Sequence, residues 1–377
     1  MVFALVVATC LLSARGLHCR RVKNSAECEG QSTCFWQLPT ILTNDHVCNH
    51  RRNAGSAKSG GRCLPAVRDF SRKSFGARYD AGPGPNVSET SIVFIKVPKC
   101  SSSTNAGVAR RVGSRHGHRT RWRGNKPSWN YRTRPAVYAN HGELTQIADW
   151  YAMGAPTWRA FLWTVVREPL ARSVSAYFHF GVTKLHPAEH SDAQVVAHLE
   201  AERHYLWDYL RTDCGAAPRP GDVDRLLDVY DLVGTVELFD ETMVLLAARL
   251  GVPLGDVLSV SAKNSSVAGA RDPATGNAFV RADESQLARV RKWAEKTGFE
   301  ARAAADYALW RNASARVRRD VRPLGRELAE YRRLTREIAD PCAADPRNFE
   351  EDQCLWRDNG CAQPCIDAGL ARDPGYG

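Results

Sequence analysis

The sequence predicts an α/β fold, a P-loop-like parallel sheet flanked by helices and carried between cystine-rich N- and C-terminal segments. Three observations lead there. Short β-branched runs alternate with helical stretches from Ser91 onward, the pattern of units that lay their strands side by side in parallel. Two of the strands end in a charged residue and a turn that opens a helix, at IVFIKVPKCSSSTNAG (92–107) and WTVVREPLARSVSAYFHF (163–180). Nine of the twelve cysteines crowd into residues 19–63 and 342–365, which leaves the middle of the chain to fold around an apolar core.

Taken in order, residues 1–16 contain the apolar run VFALVVATCLLSA followed by Ala14-Arg15-Gly16. This has the length of a signal peptide's apolar core or of a short anchor, although no basic residue precedes it. Residues 17–65 read as a cystine-tied module and 66–89 as a Gly-, Ser- and Arg-rich linker. The main domain is placed at 90–339. It opens with a buried strand, SIVFIKV, then the hydroxyl-rich turn Ser101 to Thr104 and a helix near 104–112. Residues 113–135 look irregular. A short strand at 136–139, a helix at 143–152 and a strand at 161–166 follow, and then a helix over 169–180 whose first turn tolerates Pro169. Next are a long helical stretch around 191–212, a strand near 229–235 and a helix at 239–250, stopped by Gly251 with Pro253 beyond. A further strand is expected near 256–260, charged amphipathic helices over 283–337, and the second cystine-rich segment at 340–377.

Charge is uneven along the chain. The net charge is +11, and no Asp or Glu occurs between Thr90 and Gly142, where Lys96, Lys99, Arg110, Arg111, Arg115, Arg119, Arg121, Arg123, Lys126, Arg132 and Arg134 lie. The other 41 basic residues balance the 41 acidic ones. An excess confined to one segment points to an anionic ligand, the alternative being a solvated basic loop. Trp122, Trp129 and Tyr131 interleave with arginines as stacking platforms for nucleic acid do, but a lumenal address argues against that partner. The cysteine spacings match no common zinc pattern, so no metal is expected. Sequons at Asn86, Asn264 and Asn312 fit a secretory-pathway protein.

The first motif places uncapped backbone N–H groups, a helix dipole, four hydroxyls and Lys99 around one point, which suits an anion. Its bland alternative is an N-cap with surplus serines. The nucleotide loop G-x-x-x-x-G-K-S/T is absent, since Lys99 precedes the turn and no glycine lies between it and Gly107. In the second motif Arg167 ends a strand and Ser175 follows eight residues later, a pair suited to a second phosphate. Here the alternative is a surface ion pair between Arg167 and Glu168.

With both motifs in order, the chain resembles the Golgi-type carbohydrate sulfotransferases. VFIKVPKCSSST is similar to their 5′-phosphosulfate loop and VVREPLARSVSAYFH to their 3′-phosphate motif, while LVGTVELFDETMVLLAARLGV (232–252) is similar to the stretch that follows. The nearest patterns are those of the heparan sulfate 2-O- and 6-O-sulfotransferases and the galactose sulfotransferases, over residues 90–265. The resemblance implies 3′-phosphoadenosine-5′-phosphosulfate as donor cosubstrate, with no metal. Lys99 then lies at the bridging oxygen, Cys100, Ser101, Ser102, Ser103 and Thr104 cradle the 5′-phosphosulfate, and Arg167 and Ser175 hold the 3′-phosphate. It also implies a general base between the motifs, where YANHGELTQIADW offers His141, with Glu143 in reserve. Lys263 falls where relatives carry a loop over the donor, in conflict with a glycan at Asn264.

Arg115, Arg119, Arg121 and Arg123 are expected to contact an anionic polysaccharide or glycoprotein glycan. His116 and His118 are expected in solvent or on the acceptor. Cys100 departs from the Thr often found in this loop and reads as a buried filler, with Cys214 the candidate partner for a disulfide. The expected address is the Golgi lumen, membrane-anchored or secreted. Two other readings stay open: a protein-tyrosine sulfotransferase with an acidic peptide acceptor, and a secreted glycan-binding protein without turnover.

Overall fold

The computed structural model describes residues 87–118, 120, 136–141, 160–183, 190–211, 221–261, 276, 280, 282–349, 354 and 358–375. The expectations for residues 1–16, the module at 17–65, most of the linker, the helix at 143–152 and the sequons at Asn86 and Asn264 lie outside them. Strands β1 (Ser91–Ile95), β2 (Val137–Asn140), β3 (Ala160–Val166) and β4 (Leu232–Thr235) form one sheet of order β2-β1-β3-β4 with every pairing parallel.

β1 is buried on both faces because successive side chains enter different cores. Ile92 and Phe94 join Trp163 and Val165 of β3 on one side, while Val93 and Ile95 join Leu162 and Val166 on the other. That is why the strand reads as one apolar run without polar alternation. The Phe94 and Trp163 rings meet at 4.4 Å between centroids.

Among the described residues, the α-helices of six or more residues are α1 (Ser102–Arg115), α2 (Pro169–Ala176), α3 (Asp192–Ala201), α4 (Tyr205–Leu210), α5 (Asp222–Leu227), α6 (Phe239–Leu250), α7 (Glu284–Thr297), α8 (Ala304–Val321), α9 (Gly325–Leu334) and α10 (Gln363–Leu370). The Phe94 face is covered by α1, α6, α9 and α10, and the Val93 face by α4 and α5; α8 contributes to both. A third apolar cluster joins α2, α3 and α7. β1 connects to β2 on one side and has β3 on the other, so the carboxyl ends of β1 and β3 flank a topological switch point.

Several elements differ from the sequence reading. The first helix starts earlier and ends later than 104–112. The expected helix at 169–180 is α-helical only to Ala176 and continues as a π-helical turn, Tyr177–Thr183. The stretch 191–212 breaks between α3 and α4, where Glu202 turns inward to a buried ion pair with Arg172. Asp306 of α8 then supplies the cap that α4 needs, accepting from the N–H groups of Leu206 and Trp207. No strand forms at 256–260; Leu254–Asp256 is a 3₁₀ turn, and only Val260 pairs, in an antiparallel bridge with Cys361.

The carboxyl-terminal segment is part of the main core. Disulfides join Cys342 to Cys365 and Cys354 to Cys361, and Cys342, Cys354, Cys361, Ile366 and Leu370 pack in the cluster that holds Ile92 and Phe94. The closest approach is backbone to backbone. A Cβ on Gly107 of α1 would sit 2.6 Å from Gly360 Cα. Alanine at Gly107 gains about 1 kcal/mol of helix propensity, but overpacking against a backbone costs about 1–3 kcal/mol. The Gly107→Ala protein is therefore expected to melt a few degrees below wild type in thermal unfolding, and an unchanged or higher Tm contradicts this packing.

Candidate functional site

The turn after β1 is held in an unusual conformation. Lys99 (φ 66°) and Ser101 (φ 52°) both occupy the left-handed region without being glycine, at a cost of about 1–3 kcal/mol each. Buried Asn105 offsets that cost by donating both its backbone N–H and its side-chain amide to the Ser101 carbonyl, each at 3.0 Å. Cys100 is sealed between the two strained residues, fully buried and reduced, and burial pushes its thiol pKa up to about 12. It is the filler expected from the sequence, without a disulfide to Cys214. Alternating handedness turns successive N–H groups toward one side, and no side chain caps α1.

The turn after β3 brings a second cation. Arg167 is half-buried and forms no ion pair with any described residue. The expected alternative, a pair with Glu168, does not form because that carboxylate is otherwise engaged. It caps α2 by accepting from Leu170 N (3.1 Å) and Ala171 N (2.6 Å), and it accepts from the Tyr307 hydroxyl at 2.6 Å. Pro169 occupies the first turn of α2. Arg172 points the other way, fully buried, with its guanidinium 3.9 Å over the Tyr205 ring. Burial alone would raise the pKa of its partner Glu202, but the Arg172 charge overrides that and holds the carboxyl below its usual range.

His141 follows β2. Its Nδ1 lies 2.7 Å from the Lys96 carbonyl, an oxygen that only accepts, so Nδ1 carries the proton and donates it. In its neutral form the ring then holds its lone pair on Nε2.

These pieces converge. Lys96, Lys99, Ser101, Ser102, Ser103, Thr104, His141, Arg167, Ser175, His179, Phe180 and Ser261 line one cleft of about 280 Å³ at the switch point. No carboxylate lines it among the described residues. A lobe of about 370 Å³ continues past Lys99, Arg167, Ser175 and His179 toward Leu170, Val174, Phe178 and Arg291. Arg167 also borders a hollow of about 860 Å³ that runs to Glu237, Tyr307 and Trp310.

No protein-family model and no curated protein matches this chain.

Other expected residues are placed elsewhere. Arg115 sits thirteen residues along α1 from its start, about 20 Å away at 1.5 Å per residue, paired with Asp256 at 2.5 Å and Asp367 at 3.0 Å. His116 pairs with Asp256, and buried His118 contacts the carbonyls of Gly113 and Thr90, so neither is the solvated or acceptor-facing group expected. Arg111 meets Asp367, Gln363 and the Gly255 carbonyl, and Arg110 the Ala139 carbonyl. Part of the basic excess is therefore met by acids and carbonyls from other segments, and does not face a ligand. Glu143, Lys263, Arg119, Arg121 and Arg123 lie outside the described residues.

The sequence reading missed Lys96 as a cleft wall, Asn105 as the brace of the turn, and His179. Only His179 carried a local signal. It follows Ser175 by four residues, the spacing that shares a helix face, and the π-helical turn carries it into the cleft.

Proposed function

We propose that this protein is a sulfotransferase that uses 3′-phosphoadenosine-5′-phosphosulfate and sulfates a hydroxyl of a glycan. One observation carries the reading: residues picked from separate motifs, Lys99, Ser101 to Thr104, His141, Arg167 and Ser175, line one cleft at the switch point of a parallel sheet, with no carboxylate among its described lining residues. The order of the sheet supports the P-loop-like assignment, and the donor set of cations, hydroxyls and helix N–H groups suits a doubly phosphorylated anion. When bound, the donor supplies a sulfuryl group already joined to a phosphate leaving group. Ser101 to Thr104 and the first N–H groups of α1 hold the 5′ end, and Arg167 with Ser175 holds the 3′-phosphate. Lys99 neutralises the charge that grows on the bridging oxygen as its bond to sulfur breaks. Nε2 of His141 takes the proton of the acceptor hydroxyl as the new oxygen–sulfur bond forms, and the Nδ1–H···O=C bond to Lys96 keeps the ring in that tautomer.

Residues 90–339 form the catalytic domain in this reading, with Glu143 as reserve base and Lys263 as a donor contact. Arg119, Arg121 and Arg123 are assigned to binding the acceptor, an anionic polysaccharide or glycoprotein glycan. The two disulfides support an oxidising compartment, and the Golgi lumen is the address proposed.

Calorimetric titration tests the donor site. The purified protein is expected to bind 3′-phosphoadenosine-5′-phosphate and to bind adenosine 5′-phosphate at least about 30-fold more weakly, the value of one charge-assisted contact of about 2 kcal/mol. A folded protein that binds neither overturns the reading and leaves a glycan-binding protein as the better account.

A further inference from the structure

The ring closed by Cys354–Cys361 reaches the cleft from behind at two places. Cys361 pairs with Val260, and the next residue along, Ser261, lines the cleft. Asp358, inside the ring, sets its Oδ2 2.5 Å from the Lys96 ammonium, with both residues buried. Asp358 (φ 49°) and Gly360 (φ 92°) are left-handed there, and Gly360 bears directly on Gly107. Lys96 is itself a wall of the cleft, three residues before Lys99. Its carbonyl also accepts from His141 Nδ1 and, at 3.1 Å, from the Tyr209 hydroxyl. Arg110 lies close enough to feel the same carboxylate, whose charge opposes the burial that lowers the pKa of that guanidinium.

We infer that Asp358, presented by the Cys354–Cys361 ring, is a positioning residue of the cleft. It neutralises Lys96 from behind, so that an anion in the cleft is met by Lys99 and Arg167. In naming the anion as the sulfuryl donor or its desulfated product, the inference rests on the function proposed above. The physical ground is that a buried ammonium without its carboxylate is a full charge in a medium that screens poorly. Lys96 without Asp358 adds that charge to the anion's surroundings, and Asp358 without Lys96 subtracts one. A product bound by an additional cation leaves slowly, so the pairing favours release as well as fixing the strand end that orients His141.

A double-mutant cycle separates this role from simple support of the fold. Wild type, Asp358→Asn, Lys96→Gln, the double variant and a Cys354→Ser/Cys361→Ser variant are titrated with 3′-phosphoadenosine-5′-phosphate and with inorganic pyrophosphate. Asp358→Asn is expected to tighten binding about tenfold and Lys96→Gln to weaken it by about the same factor, as a partly screened unit charge of either sign does. The double variant returns to within about threefold of wild type. The cysteine variant follows Asp358→Asn. Both single variants moving in the same direction, a double variant no nearer to wild type than the singles, or a cysteine variant that binds as wild type does each overturns the inference. If wild type binds neither probe, the sulfotransferase reading has failed, and the melting temperatures of the four cycle proteins decide the pair separately. Recovery of Tm in the double variant upholds the charge pairing, and its absence overturns it.

Discussion

Alanine at His141 is expected to lower the turnover of glycan sulfation by roughly 10²- to 10⁴-fold, the usual contribution of a positioned general base. Affinity for 3′-phosphoadenosine-5′-phosphate is expected to stay within about twofold. The two readouts separate because His141 stands after β2, whereas the anion-holding residues belong to the turns after β1 and β3. The hydrogen bond from Nδ1 to the Lys96 carbonyl adds a second expectation. The acidic limb of the pH–rate profile, which reports a base losing its lone pair to a proton, should flatten in the variant. A loss of less than tenfold, with that limb intact, removes His141 from the role and makes Glu143 the next residue to replace.

Arg167→Ala is the complementary case, a binding defect with little cost to the fold. Affinity for 3′-phosphoadenosine-5′-phosphate is expected to fall about 100-fold, from the loss of a charge-assisted contact of about 3 kcal/mol. Adenosine 5′-phosphate should bind the variant and wild type nearly alike, since it has no 3′-phosphate to lose. Calorimetry reads both, and thermal unfolding should show a Tm close to wild type, because Arg167 has no carboxylate partner among the described residues. Arg167→Lys should recover only part of the affinity, as an ammonium cannot grip two phosphate oxygens in one plane. An equal loss for both nucleotides would place Arg167 at the 5′ end and overturn the assignment of the two anion points.

Much of the frame was legible in the sequence because its causes are local. β1 and β3 announce themselves as apolar, β-branched runs buried on both faces, Pro169 marks the first turn of α2, and Gly251 closes α6 in the left-handed conformation. The convergence of Lys99, Arg167, Ser175 and His141 followed from reading each at the carboxyl end of a parallel strand or on the helix behind it.

What escaped was set by partners distant in the chain. The basic segment around α1 looked directed at a ligand because the acids that meet Lys96, Arg111 and Arg115 sit at Asp256, Asp358 and Asp367. The break between α3 and α4 depends on Glu202 reaching Arg172, which no helical periodicity reveals. Asn105 looked like one more small residue in a helix, yet it holds the strained turn in place. The expected strand at 256–260 failed because Asp256 is drawn inward to Arg115 and His116, and Val260 alone finds a pairing partner.

The Lys96–Asp358 pair also bears on biosynthesis. Its members are separated by 262 residues, so at about 5–20 residues per second the lysine waits roughly 10 to 50 seconds for its partner to be translated. Throughout that interval Lys96 exists without its neutralising acid, and the helix that follows has at most Asp256 of the acids that meet it, with Asp367 still to come. An early stop between Thr235 and Asp358 would therefore release a chain with every strand of the sheet and a buried lysine without its carboxylate, a form that quality control must hold or discard.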